Sequence, residues 1–502
     1  MVGAYLGIAT GMVAIASLEA MLVPLQRDFV LSVDDVTTLA LTVSAGSLLV
    51  LFAMGSLVDR LGPRRVLVTG AAVSVTGAAL VGLAPAFGWL MFGRVVGGVG
   101  GTAMAVAGLA TLNATFTEDR ERAMVFGLFS AVVGAVFIIS PVVGGVVATG
   151  LTWRLVPVLW IVVALGSVVC LRRVSLPPGS GGTARELVTP LAAGTTLSAL
   201  CVAALLANRG PALSGTALVV AGASFLVLLL RWRELRGRGV TPTLDVSVFA
   251  TPGAKPLMGA MLAVAFVNMG FYANLFLQYR LGFTAAAVAL VFLVPQVAGV
   301  LGGLVGGWVS VRWGSLVTTA AAMGAATLAA LAFLAVGGQS TVWSIVALMT
   351  LFNFPVGVIT GTLTKSFLDC ADPEGSGAAA SWRQGGWNVG ATLGGVALSA
   401  IVFSYFTSAW TADLQHAGIP EAAARWAADA VRGGVPLTQI AADPRAQGVA
   451  VGGAPDDFVA LASQQLATFR LVAILAAASY AVALGFVLLA MWRRKRRGLS
   501  HD

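Results

Sequence analysis

The chain alternates between long apolar runs and short segments that carry most of the polar and charged residues. A bilayer core about 30 Å thick is crossed by about 20 apolar residues in a helix that rises 1.5 Å per residue. The pattern therefore predicts an all-α integral membrane protein. Fourteen runs are long enough, at residues 2–25, 37–58, 66–87, 89–112, 123–148, 154–171, 190–207, 212–231, 256–279, 285–309, 315–336, 342–364, 377–406 and 467–492.

Composition excludes a soluble protein. Of the 502 residues, 58% are hydrophobic and only 10% are charged, with a mean hydropathy of +0.92, whereas soluble proteins carry about 25% charged residues. The net charge of +9 comes from basic residues at the ends of apolar runs, so we expect a lipid bilayer as partner and not nucleic acid. The three cysteines and two histidines are scattered, and this spacing predicts no metal site.

The distribution of lysine and arginine predicts the orientation, because cytoplasmic loops are enriched in these residues. Most of the 30 basic residues face one side if both termini are cytoplasmic. Arginine is preferred over lysine, which favours a bacterial protein and hence the bacterial plasma membrane. One long segment, 407–466, then lies outside, with a helix predicted to begin near Pro420. A lid over the outer mouth and a passive ordered loop are both compatible with it.

Two similar loops indicate that the chain is built from two related halves. "GSLVDRLGPRRV", which begins at Gly55, returns as "GGWVSVRWGSLV", which begins at Gly306. Arg60 matches Arg312, and both loops follow the second span of six, an arrangement typical of transporters built from repeats. We predict two six-helix bundles related by pseudo-symmetry, with two spans inserted between them. The predicted divisions are 1–175, the inserted spans and cytoplasmic linkers 176–255, 256–492, and the basic tail 493–502.

Five segments resemble a known family. The first loop resembles the signature loop of the major facilitator superfamily, and "GRVVGGVGG" resembles its fourth-span motif with a buried arginine. "GAVFIISPVVGG" is similar to the fifth-span antiporter motif, while "SWRQGGWNVG" and "FLQYRLGFTAAAVALVFLVPQ" resemble the fourteen-span drug:proton antiporter branch. The resemblance implies an inner gate of Asp59, Arg60, Gly62, Arg64 and Arg65, and an antiporter-type motif of Gly134, Ser140, Pro141, Gly144 and Gly145.

Glu19 is the candidate proton carrier. It is the only acidic residue inside a predicted span, where a charged residue costs about 2.5–3.5 kcal/mol and usually faces a cavity or a partner. The branch usually carries an aspartate in a pattern like LDxTIVNVALP, whereas this chain reads "LEAMLVPLQRDF" with Glu19 as the acid and a shorter spacing to "QRDF". Arg94 lies at a similar depth, about 8–9 Å below the outer boundary at 1.5 Å per residue. The alternatives to proton coupling are a structural ion pair and a Glu19 side chain that extends outward to the membrane surface.

A polar stripe predicts the substrate cavity. Asn268 and Tyr272, and Asn274 and Gln278, are spaced i,i+4 on the ninth span and share helix faces. Hydrogen bonding between helices would account for the stripe equally well. Because the spans of the second half contain no acid, apolar, neutral or weakly charged amphiphiles fit such a cavity better than multivalent cations. The candidate cavity residues are Asn268, Tyr272, Asn274, Gln278, Gln296, Asn353, Arg383, Trp387 and Asn388.

The predicted function is export, driven by protons, of hydrophobic or amphipathic small molecules of the multidrug type. A dedicated exporter of one natural product or envelope lipid is the alternative, followed by proton-coupled uptake. We do not expect an enzyme, because the sequence shows no cluster of residues that could act as catalytic groups. We also expect no cofactor, because the chain lacks an ATP-binding loop and would use the proton gradient. The chain is expected to be monomeric.

Overall fold

The computed structural model describes most of the chain as α-helix. It covers residues 1–29, 33–171, 187–206, 211–238, 246–270, 272–273, 277, 285–337, 340–371, 375–416, 420–432 and 456–496. The predicted cavity residues Asn274 and Gln278 therefore lie outside the described residues. The helix of Glu19 is described, but its side chain is not.

The helices occur in three groups along the chain. The first half contains α1 (Val2–Ala16), α2 (Leu18–Phe29), α3 (Val33–Leu61), α4 (Pro63–Gly82), α5 (Phe87–Thr115), α6 (Asp119–Gly150) and α7 (Val156–Leu171). The inserted pair is α8 (Val188–Leu206) and α9 (Pro211–Gly237). The second half contains α10 (Ala254–Phe266), α11 (Ala285–Val291), α12 (Leu293–Trp313), α13 (Ser315–Ala332), α14 (Val342–Leu368), α15 (Ser376–His416), α16 (Glu421–Arg432) and α17 (Asp456–Arg496).

Length and composition make these helices membrane-spanning. Within the described ranges, 10 helices are long and apolar enough to cross a bilayer, and three shorter apolar helices accompany them. Large apolar side chains such as Val162, Val169 and Val219 are exposed, as expected where hydrocarbon rather than water surrounds the protein. The all-α membrane fold is confirmed, whereas the count of fourteen spans stays a prediction.

The first predicted span, 2–25, is not one continuous helix. It is interrupted at Ser17, whose hydroxyl donates to the carbonyl of Val13. Bonds of this kind can bend a helix, but Thr10 makes the same bond inside the unbroken α1, so the bond alone does not account for the break. Glu19 lies at the start of α2, directly after the interruption.

The two halves repeat the same helix packing. In the first half α3 packs on α5, and α4 packs on α5 and α7; in the second half α12 packs on α14, and α13 packs on α14 and α17. The two related loops also share their backbone geometry, with φ 82° and ψ 151° at Gly62 and φ 80° and ψ 150° at Gly314. Only glycine adopts this conformation readily, so the repeat seen in the sequence is a repeat in structure. The exact boundaries of the divisions stay predictions.

The segment 407–466 has more helix than predicted. The helix expected near Pro420 is present as α16. However, α15 continues past residue 406 to His416, because neither glycine nor proline interrupts this stretch. α17 likewise begins at Asp456, ahead of the predicted span.

Candidate functional site

The two halves meet along two seams that are related by the repeat. α3 packs on α15 in the first seam, and α6 packs on α12 and α14 in the second. The inserted helix α8 packs on α3 and α15, beside the first seam. Any movement of one half against the other must therefore open or close contacts between these helices.

Asp59 joins the halves at the end of the first seam that lies next to the Gly62 turn. Its Oδ1 accepts from the backbone N–H of Gly377 at 2.7 Å, and its Oδ2 accepts from that of Ala378 at 3.0 Å. These N–H groups belong to the first turn of α15, where intrahelical partners are lacking and the helix dipole favours an anion. Asp59, on the first half, thus caps a helix of the second half.

Glycines bring the two backbones close enough for this contact. A Cβ atom on Gly377 would lie 2.5 Å from the carbonyl oxygen of Gly55 and 2.6 Å from Oδ1 of Asp59. A Cβ atom on Gly55 would lie 2.7 Å from the carbonyl oxygen of Gly377. Any larger residue at either position would push α3 and α15 apart.

The second seam repeats the glycine contact without the acid. A Cβ atom on Gly127 would lie 2.7 Å from the Cα of Gly307, the residue that matches Gly55. Val311, which stands where the first loop has Asp59, is exposed. The two seams are therefore alike in backbone packing and different in charge.

A charged network beside the Asp59 contact was missed by the sequence reasoning. Arg122 of the first half binds Asp369 of the second, with 2.6 Å between Nη2 and Oδ1. Nζ of Lys365 lies 3.2 Å from Oδ1 of Asp119 and 2.8 Å from Oδ2 of Asp369. Lys365 is buried although it carries a charge. The i,i+4 spacing of Lys365 and Asp369 could have indicated this pair from the sequence. Nothing in the sequence indicates that Arg122 and Asp119 of the first half would meet them.

The network extends to the capped helix. Nη2 of Arg122 donates to Oδ1 of Asn113 at 2.6 Å, and Nδ2 of Asn113 donates to Oγ of Ser376 at 3.0 Å. Ser376 is the first residue of α15, next to the N–H groups that Asp59 accepts from. Both sets of polar contacts hold the halves together at this end of the first seam.

The basic residues of the first loop lie at the turn between α3 and α4. Arg64 and Arg65 are exposed at the start of α4, and Arg60 is half-buried at the end of α3. Gly62 makes the turn between the two helices. This placement suits the orientation signal on which the topology prediction rests.

Arg94 is almost fully buried within the first half. Its Nε donates to the carbonyl of Leu39 at 3.1 Å, and its Nη1 donates to that of Ala14 at 3.4 Å. Nη2 has no hydrogen-bond partner among the described residues. Arg94 thus reaches the last turn of α1, close in sequence to the interruption that precedes Glu19.

The C-terminal end of the interrupted span, at Asp28, is anchored to the same half. Oδ2 of Asp28 accepts from Nε1 of Trp153 at 2.7 Å and from Nη1 of Arg154 at 3.0 Å. These hydrogen bonds, together with the charge of Arg154, lower the pKa of Asp28 from its ordinary value. The guanidinium of Arg154 also lies 4.3 Å from the ring centroid of Trp153.

The predicted cavity residues on α15 cluster around Arg383. This side chain is 3% exposed, and its Nε donates to Oγ1 of Thr364 at 3.1 Å. Its Nη1 donates to Oε1 of Gln384 at 3.1 Å, and Nε2 of Gln384 donates to Oδ1 of Asn388 at 3.1 Å. Its guanidinium carbon lies 5.4 Å from the ring centroid of Trp387.

The other predicted cavity residues are distributed over neighbouring helices. Gln296 on α12 and Asn353 on α14 are half-buried. Asn268 is exposed beyond the end of α10, whereas Tyr272 is buried. Among the described cavity residues, Arg383 and Asn388 on α15 are connected by hydrogen bonds through Gln384. That the whole set lines a substrate cavity stays a prediction.

The antiporter-type motif lies on α6. A Cβ atom on Gly134 would lie 2.8 Å from Cγ2 of Val300 on α12, so this glycine also serves the second seam. Ser140 and Gly144 are buried, Gly145 is half-buried, and Pro141 is accommodated inside the helix. Close helix packing explains Gly134, and the transport role of the motif is untested.

Comparison with known proteins assigns the fold and the family. The model of the Major Facilitator Superfamily matches residues 4–412. The methylenomycin A resistance protein of Bacillus subtilis (strain 168) is 26% identical over 371 residues, 72% of this chain and 78% of the relative. The multidrug resistance protein Stp of Mycobacterium tuberculosis is 24% identical over 493 residues, 93% of this chain and 86% of the relative. The crystal structure of the E. coli fucose:proton symporter FucP has the same fold, with a TM-score of 0.57 at 13% identity, covering 97% of this chain and 98% of that one.

Proposed function

Because this chain belongs to the Major Facilitator Superfamily, we propose that it exports hydrophobic or amphipathic small molecules in exchange for protons, by alternating access. The two halves would rock about the seams, exposing a central site first to one side of the membrane and then to the other. Relatives named for resistance to methylenomycin A or to many drugs support export of small molecules.

The observation that carries the proposal is the contact of Asp59 with the first turn of α15. It joins the halves only at their cytoplasmic ends, and it can exist only while these ends are together. An interaction present in one state alone biases the equilibrium between two states. Asp59 and its neighbouring network would thus act as an inner gate that is closed in this structure.

Glu19 and Arg94 are proposed to couple protons to this movement. Glu19 follows the interruption of the first span, and Arg94 reaches the turn just before it. A carboxylate in such a position gains a proton more readily when it is desolvated and loses it more readily near a cation. A shift of Glu19 relative to Arg94 would therefore change its protonation with the conformation.

A dedicated exporter of one compound is the second candidate. The methylenomycin A resistance protein is named for a single antibiotic, whereas Stp is named for many drugs, and this chain resembles both to a similar degree. Uptake is the third candidate, because the helices do not fix the direction.

We further propose a bacterial plasma membrane location, with both termini in the cytoplasm and a monomer as the functional unit. The bacterial relatives support the membrane assignment, and the basic residues support the orientation. The proton gradient would be the energy source, without a bound cofactor.

Transport in proteoliposomes tests the proposal. Purified protein is reconstituted, a pH gradient is imposed, and a panel of amphipathic compounds is screened for movement against its own concentration gradient. We expect several unrelated compounds to move only when the pH gradient is present. Movement of a single compound would favour the dedicated exporter, and no response to the pH gradient for any compound would contradict proton coupling.

A further inference from the structure

Arg383 is a buried cation without a buried anion. It is 3% exposed, and the described residues place no carboxylate within ion-pairing distance of it. Its hydrogen-bond acceptors, Thr364 and Gln384, are both neutral. A charge in a desolvated site is costly unless it is paired or serves a function. The unpaired charge of Arg383 therefore indicates a function.

Two aromatic rings lie close to this guanidinium. The guanidinium carbon is 5.1 Å from the ring centroid of Phe129 and 5.4 Å from that of Trp387. Cation–π contacts offset part of the cost of burial, but they do not neutralise the charge. The rings also provide flat apolar surfaces next to the cation, as a site for an aromatic or alkyl acid would.

We propose that Arg383 binds the anionic group of transported compounds, so that amphipathic carboxylates belong to the substrates. The planar guanidinium can donate two parallel hydrogen bonds to a carboxylate, and the apolar body of the compound would lie along Trp387. The inference rests on the proposed export function and names a substrate class for it.

The location of Phe129 links this site to the gate. Phe129 lies on α6 of the first half, whereas Arg383 lies on α15 of the second, about 10 Å along that helix from Ser376 at 1.5 Å per residue. Separation of the cytoplasmic ends would withdraw the ring and uncover the guanidinium to the cytoplasm. The guanidinium would then be accessible from the cytoplasm while these ends are apart and shielded from it when they meet, as loading from the cytoplasm requires.

Binding of a matched charge series tests this site. Naphthaleneacetate, naphthaleneacetamide and naphthylethylammonium share one ring system and differ in charge. Their binding to the full chain in nanodiscs is measured by equilibrium dialysis, with empty nanodiscs subtracted. We expect the carboxylate to bind the wild type at least tenfold more tightly than the amide, because a charge-assisted pair is lost in the amide.

Two variants locate the preference. Arg383→Gln should reduce the carboxylate-to-amide affinity ratio to about one while the amide still binds, because the aromatic surfaces remain. Arg312→Gln removes a charge from the exposed end of α12 and should leave the ratio unchanged. If Arg383→Gln does not fold, Arg383→Lys serves instead, with a reduced ratio because an ammonium cannot form the planar pair.

The possible outcomes separate this inference from the proposed function. Equal affinity of the wild type for carboxylate and amide, no saturable carboxylate binding, or an unchanged ratio in Arg383→Gln would overturn the anion site. If neutral or cationic compounds are still exported against a gradient in that case, the exporter stands without it. A carboxylate preference that depends on Arg383, in a protein that moves no compound with the pH gradient, would leave the anion site standing and refute proton-driven export.

Discussion

Removal of the charge of Asp59 should open the cytoplasmic side. Asp59→Asn keeps one oxygen that can accept from Gly377, but its amide group faces the N–H of Ala378 and cannot accept from it. Hydrogen bonds to a charged group contribute about 1.5–3 kcal/mol, against about 1 kcal/mol for neutral pairs. The favourable interaction of the carboxylate with the helix dipole, about 0.3–1 kcal/mol, is also lost.

At the lower limits of these ranges the terms sum to about 2 kcal/mol, and they act only on the state in which the cytoplasmic ends are closed. Since about 1.4 kcal/mol is a factor of ten, the ratio of inward-open to inward-closed protein should rise roughly thirtyfold. Transport should slow, because the inward-closed state is then rarely reached.

Spin-label distances across the cytoplasmic mouth measure this shift. Labels at Arg120 and Arg493, which are exposed on opposite halves, are introduced into a variant in which the three cysteines are replaced. We expect a longer distance to gain population in Asp59→Asn. Val311→Asp is the matched control, and it should change little because Val311 is exposed. An unchanged distance distribution with normal transport in Asp59→Asn would refute the gating role.

Three further predictions concern coupling, the second seam and topology. Glu19→Gln should abolish transport against a gradient while leaving folding and substrate exchange intact, as measured in proteoliposomes. Gly127→Ala should shift the spin-label distances in the same direction as Asp59→Asn, because its Cβ would lie 2.7 Å from the Cα of Gly307. A cysteine at Gly434 should react with a membrane-impermeant reagent in intact cells.

Each of these has its own control or contrary result. Glu118→Gln removes an exposed acid at the start of α6 and should not affect coupling, whereas uphill transport retained by Glu19→Gln would move the proton site to Asp34, Asp35 or Asp59. Gly324→Ala is the control for the seam, because a Cβ there meets nothing within 4 Å. If the cysteine at position 434 reacts only after the cells are permeabilised, the prediction that segment 407–466 lies outside is wrong.

The sequence by itself determined the class of the protein and the local elements. Apolar runs of sufficient length predict membrane helices because each helix satisfies its own backbone hydrogen bonds within one run. The turns at Gly62 and Gly314 were also predictable from the sequence, because the conformations open to glycine are a local property of the chain. The helix that begins after Pro420 is likewise determined by residues that are adjacent to it in the sequence.

Only the tertiary structure decided which residues meet across the seams. Asp59 and Gly377 are 318 residues apart, and Arg383 meets Phe129 of the other half. Such contacts depend on how each helix is rotated about its axis. In a soluble helix the apolar stripe shows this rotation, but in a membrane helix the lipid-facing and protein-facing sides are both apolar, so hydrophobicity does not reveal it. Packing of small residues such as Gly55 and Gly127 fixed the rotation, and with it the partners of the charged side chains.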